Sequence, residues 1–357
     1  MNSIRLIVAI AQWFVVLAAF AAAPADDPLG RPATLGPRAA SVMSTAVTRA
    51  GDRLVAVGDR GVILLSDDSG RTWRQAATPV SVLLTGVRFA DARVGWAVGH
   101  SGVVLKTQDG GQSWTLQLDG VRAASVIRDT AASLQVDPAM SKRLADDAQR
   151  LVREGADKPW MDVDVVDEQH VTVIGAFGLA LNSDDGGLHW RSVGHELPNP
   201  QGAHLYGIAH RGSTVVVAGE QGLLLQSSDA GHAFTAVSTG SKTSNFGLLL
   251  LSDREWLVYG LRGTAFVCSS DGGCVGSRTA ETATLTGGLR CLDGTIVLTS
   301  QAGTLLVSTD DGHTFTVRTP PQPVPAIGLA ESPDGSLVVA GVRGIQRIER
   351  NVLRPKS

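Results

Sequence analysis

One short pattern recurs along this chain of 357 residues and limits what it can fold into. A Ser or Thr is followed by Asp two positions on, Gly two further, and an aromatic residue three after that. The first copy is Ser66, Asp68, Gly70, Trp73, and the second is Thr107, Asp109, Gly111, Trp114. Ser183, Asp185, Gly187, Trp190 form the third copy and Ser227, Asp229, Gly231, Phe234 the fourth. A fifth begins with Ser269, Asp271 and Gly273 but lacks its aromatic, and a sixth runs Ser308, Asp310, Gly312, Phe315. Each copy follows an aliphatic run, as the turn of a β-hairpin would. Repetition at a fixed period implies one supersecondary unit stacked on copies of itself.

A second pattern, Gly-x-x-Gly, precedes each hairpin at 58/61, 99/102, 175/178, 219/222 and 260/263, and recurs at 341/344. Ser300 replaces the first glycine at 300/303, so there are seven units. Their spacings are 41, 76, 44, 41, 40 and 41 residues, and all but one match a four-stranded propeller blade of ~40–50 residues. In the second unit the strands are expected at Leu84–Ala90, Gly95–Val98, Gly102–Lys106 and Trp114–Leu118. The middle strands are nearly unbroken aliphatics (Leu54–Val57, Val62–Leu65), which implies cover on both faces. Glycine at both ends of the two-residue turn suits backbone angles that other residues avoid. The expected fold is all-β, a seven-bladed propeller over residues 40–357. The seventh unit ends without a fourth strand. The segment 26–39, around Thr34–Ala40, is expected to supply it and so remove an open edge.

The long spacing holds an insert at 119–159 whose pattern is helical. Asp137-Pro138 reads as an N-cap with proline at the first helical position, and Gly155 as a stop. Met140, Leu144, Ala148, Leu151 and Val152 form one apolar stripe. A shorter helix is expected over Val121–Leu134. The hairpin they make either packs on the blades or receives a partner.

Composition excludes several classes. Charged residues are 18%, apolar residues 43%, and net charge is −3, which gives no whole-molecule attraction to nucleic acid. Residues 1–25 hold Arg5, then the uncharged run Leu6–Ala23, then Ala23-Pro24-Ala25, a secretory signal peptide pattern. The competing reading is an uncleaved helix that tethers the protein to a membrane. Either way the folded part is exported, to a periplasm or its equivalent, where a disulfide is permitted. Cys268 and Cys274 bracket the fifth turn and suit a cross-strand bridge, leaving Cys291 over.

The hairpin resembles the Asp-box, or bacterial neuraminidase repeat, of several propeller families. In those families it is a folding device at the blade periphery. The resemblance implies structural roles for Asp68, Asp109, Asp185, Asp229, Asp271 and Asp310, and for Trp73, Trp114 and Trp190. Seven such units, an export signal, the insert and Lys158-Pro159-Trp160-Met161-Asp162-Val163 after it resemble the photosystem II stability and assembly factor-like propellers. That family, matched over about residues 40–350, implies a non-catalytic scaffold serving a membrane protein client; the chain is expected to be a monomer without cofactor.

The turns between strands two and three, and the links between blades, should share the face around the channel. There Arg60, Arg262 and Arg343 hold the same turn position in blades one, five and seven, with Asp59, Glu220 and Gln221 beside them in sequence or on the same face. Guanidinium groups pair with carboxylates, so an acidic segment of a protein client is the expected ligand. The alternative is an Asp-box glycoside hydrolase. A sialidase-like site needs a Tyr nucleophile, for which Tyr206 is the candidate; Tyr259 aligns with Val57, Val98 and Ala340 and reads as core. A two-carboxylate site needs a pair ~5–10 Å apart, whereas Asp59 and Glu220 come from opposite sides of the ring. The eight histidines match no metal spacing, so no metal is expected.

Overall fold

The computed structural model describes residues 27–353, apart from 137, 156 and 272. The export signal at 1–25 and the Asp137 cap therefore lie outside the described residues. Seven antiparallel sheets follow one another along the chain, six of four strands and the last of three. Their first strands are Ser44–Ala50, Leu84–Phe89, Trp160–Val165, Leu205–Arg211, Asn245–Leu250, Leu285–Arg290 and Ala326–Glu331. Each of these touches the first strand of the next blade, and the seventh touches the first, so the ring closes.

The core lies between blades. Alternate residues of the second strand of blade one serve two seams. Val55 and Val57 pack with Val87, Ala97 and Leu105 of blade two. Leu54 and Ala56 pack with Ala330, Val338 and Ala340 of blade seven. This is why the run reads as continuous aliphatics. Each fully buried aliphatic side chain contributes about 1.5–3 kcal/mol relative to exposure.

The Asp box is a cage of hydrogen bonds. In blade two Thr107 Oγ1 donates to Asp109 Oδ1 at 2.8 Å and accepts from Gly111 N at 2.9 Å. Ser113 N donates to Oδ1 at 2.9 Å, Ser113 Oγ donates to Oδ2, and Trp114 Nε1 donates to Gly111 O at 2.9 Å. Asp68, Asp185 and Asp310 repeat the arrangement. Asp229 keeps Ser227 and the backbone N–H of Ala233. Hydrogen bonds from Thr72, side chain and backbone, hold the Asp68 carboxyl at about 2. Asp271 departs from the set: it is 76% exposed and meets Arg254 across 3.4 Å instead of caging its own turn. In that blade Cys268 and Cys274 are directly opposed on the third and fourth strands and form a disulfide. Cys291 is buried and free.

The two glycines of Gly-x-x-Gly do different jobs, and the first is not there for its backbone angles. Gly58 is extended (φ −174°), and a Cβ on it would meet Met43 O at 2.1 Å. Gly61 takes φ +71°, and its Cβ would meet Val80 O at 2.1 Å. Between them Arg60, Ser101, Phe177, Gln221 and Arg262 accept positive φ of 54–59°. The turn is a tight loop pressed against the chain entering its own blade and the link leaving it.

The fourth strand expected from Thr34–Ala40 is not formed. Residues 33–36 run beside blade one instead: Ala33 N donates to Thr78 O, and Gly36 N to Gln75 Oε1. Gly36-Pro37 explains the diversion, because proline brings no N–H to a ladder and disfavours regular structure before it. Only Ala39–Ser41 reaches blade seven, where Ala40 O lies against Gly344. The seam closes by side-chain packing and by Asp334, which bridges Arg71 of blade one and Arg347 of blade seven at 2.8 Å each.

The insert forms two helices, α1 (Gly120–Ser133) and α2 (Pro138–Glu154). Asp119 caps α1 by accepting from Arg122 N. Helix α1 rests on blade three, with Ser192 N donating to Thr130 Oγ1. Of the apolar stripe on α2, Ala148 and Leu151 are buried, while Met140 and Val152 stay exposed.

Candidate functional site

Antiparallel blades put the Asp boxes at one end of the ring and the Gly-x-x-Gly turns, the links and the insert at the other. Arg60, Arg262 and Arg343 are all exposed on this turn face. They stand on separate turns; none lines the central channel. Arg60 is 83% exposed in its side chain and faces Asp59 across 3.5 Å. The diverted N-terminal segment adds something the sequence did not announce. Arg31 and Arg38 join Arg60 around a cavity of about 650 Å³ beside blade one. The segment expected to seal blade seven thus forms a basic pocket against blade one.

Glu220 accepts from His204 N at 3.2 Å and Gln221 N donates to Ser244 Oγ, so both are tied to the links entering blades four and five. Asp59 accepts from Arg60 N. Asp59 and Glu220 stand on turns of blades one and four, on opposite sides of the ring. Tyr206 packs on Phe246 (centroids 5.1 Å) and near His204 (6.1 Å). Burial first, then Glu220, pushes its phenol up, away from the nucleophile a sialidase needs.

Two features escaped the sequence reading. The first is an aromatic row on the turn face. Phe177, 56% exposed, leads to His204 (4.8 Å), Tyr206 and Phe246, and Lys158 Nζ sits 5.5 Å over the Phe177 ring. The row starts at a cavity of about 740 Å³ between the insert helices and blade three. It ends where inner-strand bulges meet the channel. At that bulge Thr45, Thr85 and Thr286 each donate to a carbonyl of the next blade, at 2.5–2.7 Å. Blades three, four, five and seven carry Met161, Tyr206, Phe246 and Ile327 there instead. Only alignment of the bulges themselves reveals the exchange.

The second is the channel, a cavity of about 570 Å³ walled by all seven inner strands. The residue after each bulge is Ala46, Gly86, Asp162, Gly207, Gly247, Gly287 or Gly328. Small residues let neighbouring strands close up: a Cβ on Gly328 would meet Ala46 Cα at 2.9 Å. Asp162 is the one carboxylate in this ring position. Its Oδ2 accepts from Ile208 N at 3.1 Å and faces Arg88 Nη2 at 3.3 Å; Oδ1 accepts from Val163 N. Deeper along the same strand, Asp164 is hydrogen-bonded to His210 at 2.8 Å, and that contact raises the imidazole pKa. Among the described residues no cluster could hold a metal ion, and no helix is long and apolar enough to cross a membrane.

Comparison with known proteins agrees with this architecture. Residues 143–245, from α2 through blade four, match the family model described as photosynthesis system II assembly factor YCF48. A curated relative, the photosystem II assembly lipoprotein Ycf48 of Synechococcus sp. (strain CC9902), is 32% identical over 82 residues. That match covers 23% of this chain and spans about a quarter (25%) of the relative's own length. Among solved structures, YCF48 bound to D1 peptide superposes with a TM-score of 0.63 at 16% identity, covering 89% of this chain and 96% of that one. YCF48 from Cyanidioschyzon merolae gives 0.59 at 12% identity, over 88% and 98% of the two chains. The WD40 propeller domain of Doa1 gives 0.62 at 12% identity, over 92% and 99%. Likenesses at such identities speak for the fold. From the second half of the helical insert through blade four, the chain is thus similar to the photosystem II assembly factor YCF48, and its whole fold is that of a β-propeller.

Proposed function

We propose that the protein is an exported, non-catalytic assembly factor that holds a membrane-associated protein client on its turn face. The observation that carries the reading is that the stretch matching the YCF48 family model contains most of α2, from Arg143 on, with Phe177, His204 and Tyr206. Part of the insert and most of the aromatic row that this face presents therefore lie within it, while α1 and Phe246 fall outside. A solved YCF48 was captured with a D1 peptide, which supports a client of peptide nature. On this reading the row and the groove under the insert take apolar parts of the client, and Arg60, Arg262 and Arg343 meet its acidic parts. Arginine suits this because its planar fork of donors matches a carboxylate.

The test is the triple variant Arg60→Glu, Arg262→Glu, Arg343→Glu. All three side chains are exposed, so the melting temperature should stay within about 2 °C of the parent. Capture of the client from detergent-solubilised membranes should fall at least tenfold. Equal capture by the variant and the parent would sink the arginine assignment.

A further inference from the structure

Tyr259 occupies the second-strand position that is Val57 in blade one, Val98 in blade two and Ala340 in blade seven. Its ring is 5% exposed, yet it lines the channel. Two glycines on neighbouring inner strands make this possible. A Cβ on Gly247 would lie 2.3 Å from the phenol oxygen, and one on Gly288 would lie 2.7 Å from Cε1. Gly288 holds a position occupied by Val47, Val87, Val163, Ile208, Leu248 and Leu329 in the other six blades. The exchange of a large residue for glycine moves a phenol through the wall. Packing alone would be served by phenylalanine. The hydroxyl has no hydrogen-bond partner among the described residues and opens on the cavity, where a donor is free to meet a ligand.

Arg88 stands in the same cavity with 44% of its side chain accessible. Asp162 engages only Nη2, so Nε and Nη1 have no partner among the described residues. Asp162 itself is answered by Arg88 and by the N–H groups of Ile208 and Val163, which leaves the outer edge of the guanidinium as the open donor. The other charged groups of the wall are engaged elsewhere. Arg49 pairs with Asp52, Arg290 bonds Leu251 O and Asp311, and Glu331 bonds Leu292 N and Arg350.

We infer that the channel waist is a carboxylate-binding site, with Arg88 and the Tyr259 hydroxyl as its donors. The carboxylate belongs to a small organic acid or to the free end of a peptide. The cavity volume falls within the ~300–1,000 Å³ range of small-ligand sites, and a guanidinium and a phenol lining the same cavity offer donors that become charge-assisted toward a carboxylate. This site is separate from the turn-face arginines, so either assignment can fail without the other.

Calorimetric titration of the full chain with succinate, and with a short alanine peptide as free acid and as C-terminal amide, tests it. Saturable one-to-one binding is expected for succinate or for the free-acid peptide, and none for the amide. Binding of succinate assigns the site to small acids; binding of the free-acid peptide alone assigns it to chain ends. Arg88→Met should weaken binding about tenfold or more, the usual cost of a charged hydrogen bond. Tyr259→Phe keeps the ring and the fold and should weaken it about threefold or more by removing a single donor, with a melting temperature equal to or above the parent's. No saturation by any probe at tens of millimolar overturns the inference, as does unaltered binding by both variants.

Discussion

Replacing Trp114 by alanine is the sharpest test of how the ring is held together. The side chain is 5% exposed and sits in the seam between blades one and two. It meets Phe89 edge to face, with centroids 6.1 Å apart and planes at 82°. Its Nε1 donates to Gly111 O at 2.9 Å, closing the turn that Asp109 cages. A tryptophan buries ~150–250 Å², which at ~25 cal/mol/Å² amounts to about 4–6 kcal/mol. Measured Trp→Ala losses in cores run about 3–5 kcal/mol, because part of the cavity collapses. In a domain of this size each kcal/mol moves the melting point by roughly 2 °C, so Trp114→Ala should melt about 6–10 °C below the parent. Trp114→Phe keeps most of the area and strands only Gly111 O, at about 1–2 kcal/mol. Calorimetry together with urea denaturation followed by circular dichroism measures both. Client capture should be unchanged, because the Asp boxes lie at the opposite end of the ring from the turn face. A Trp114→Ala loss under about 1 kcal/mol would refute the seam as the source of stability.

Two further outcomes follow from the same geometry. Hydrogen bonds that favour the ionised form hold Asp68, Asp185 and Asp310 at about 2, below the usual 3.8. They add stability above pH ~4 that is lost as the pH falls through about 2; Asp310→Asn should flatten that acid limb, and a limb of unchanged steepness would count against the cage. Removing residues 27–36 should leave the melting point within about 2 °C of the parent, because this segment lies along blade one and forms no strand of blade seven; a fall beyond 5 °C would mean that it closes the ring after all.

The repeat made the architecture legible before any coordinates. Asp, Gly and Trp at fixed offsets specify a turn with its own internal acceptor, and the 41-residue period then counts the blades. The insert was equally plain, since a helical stripe such as Ala148 and Leu151 cannot be mistaken for alternation. What the sequence concealed was whatever depended on register. Thr34–Ala40 looked like a strand because blade seven needed one, but Gly36-Pro37 sends it to blade one. Asp271 looked like a box residue although the disulfide at Cys268–Cys274 had taken over its task. Tyr259 looked like core because its alignment with Val57 is correct, while the reach of its hydroxyl is set by Gly288 on a strand of another blade. No spacing within one strand carries that information.

A ring of near-identical units offers an internal comparison, and it separates structural from functional departures. Where blade five loses its cage and aromatic, a disulfide replaces them, so the departure is compensated and calls for no further cause. Where Thr45, Thr85 and Thr286 tie one blade to the next, Met161, Tyr206 and Phe246 make no such bond, and the aromatic pair stacks toward an exposed Phe177. The Phe177 ring is 56% exposed, so packing does not account for its size. The Tyr259 hydroxyl in the channel wall has no hydrogen-bond partner among the described residues. The departures at Phe177 and Tyr259 lie at the turn face and in the channel wall, away from the Asp boxes. The element that builds the ring is thus spatially divorced from the residues that deviate from it. Stability alone gives no reason for such a segregation, whereas the partner and the channel ligand proposed above would account for it.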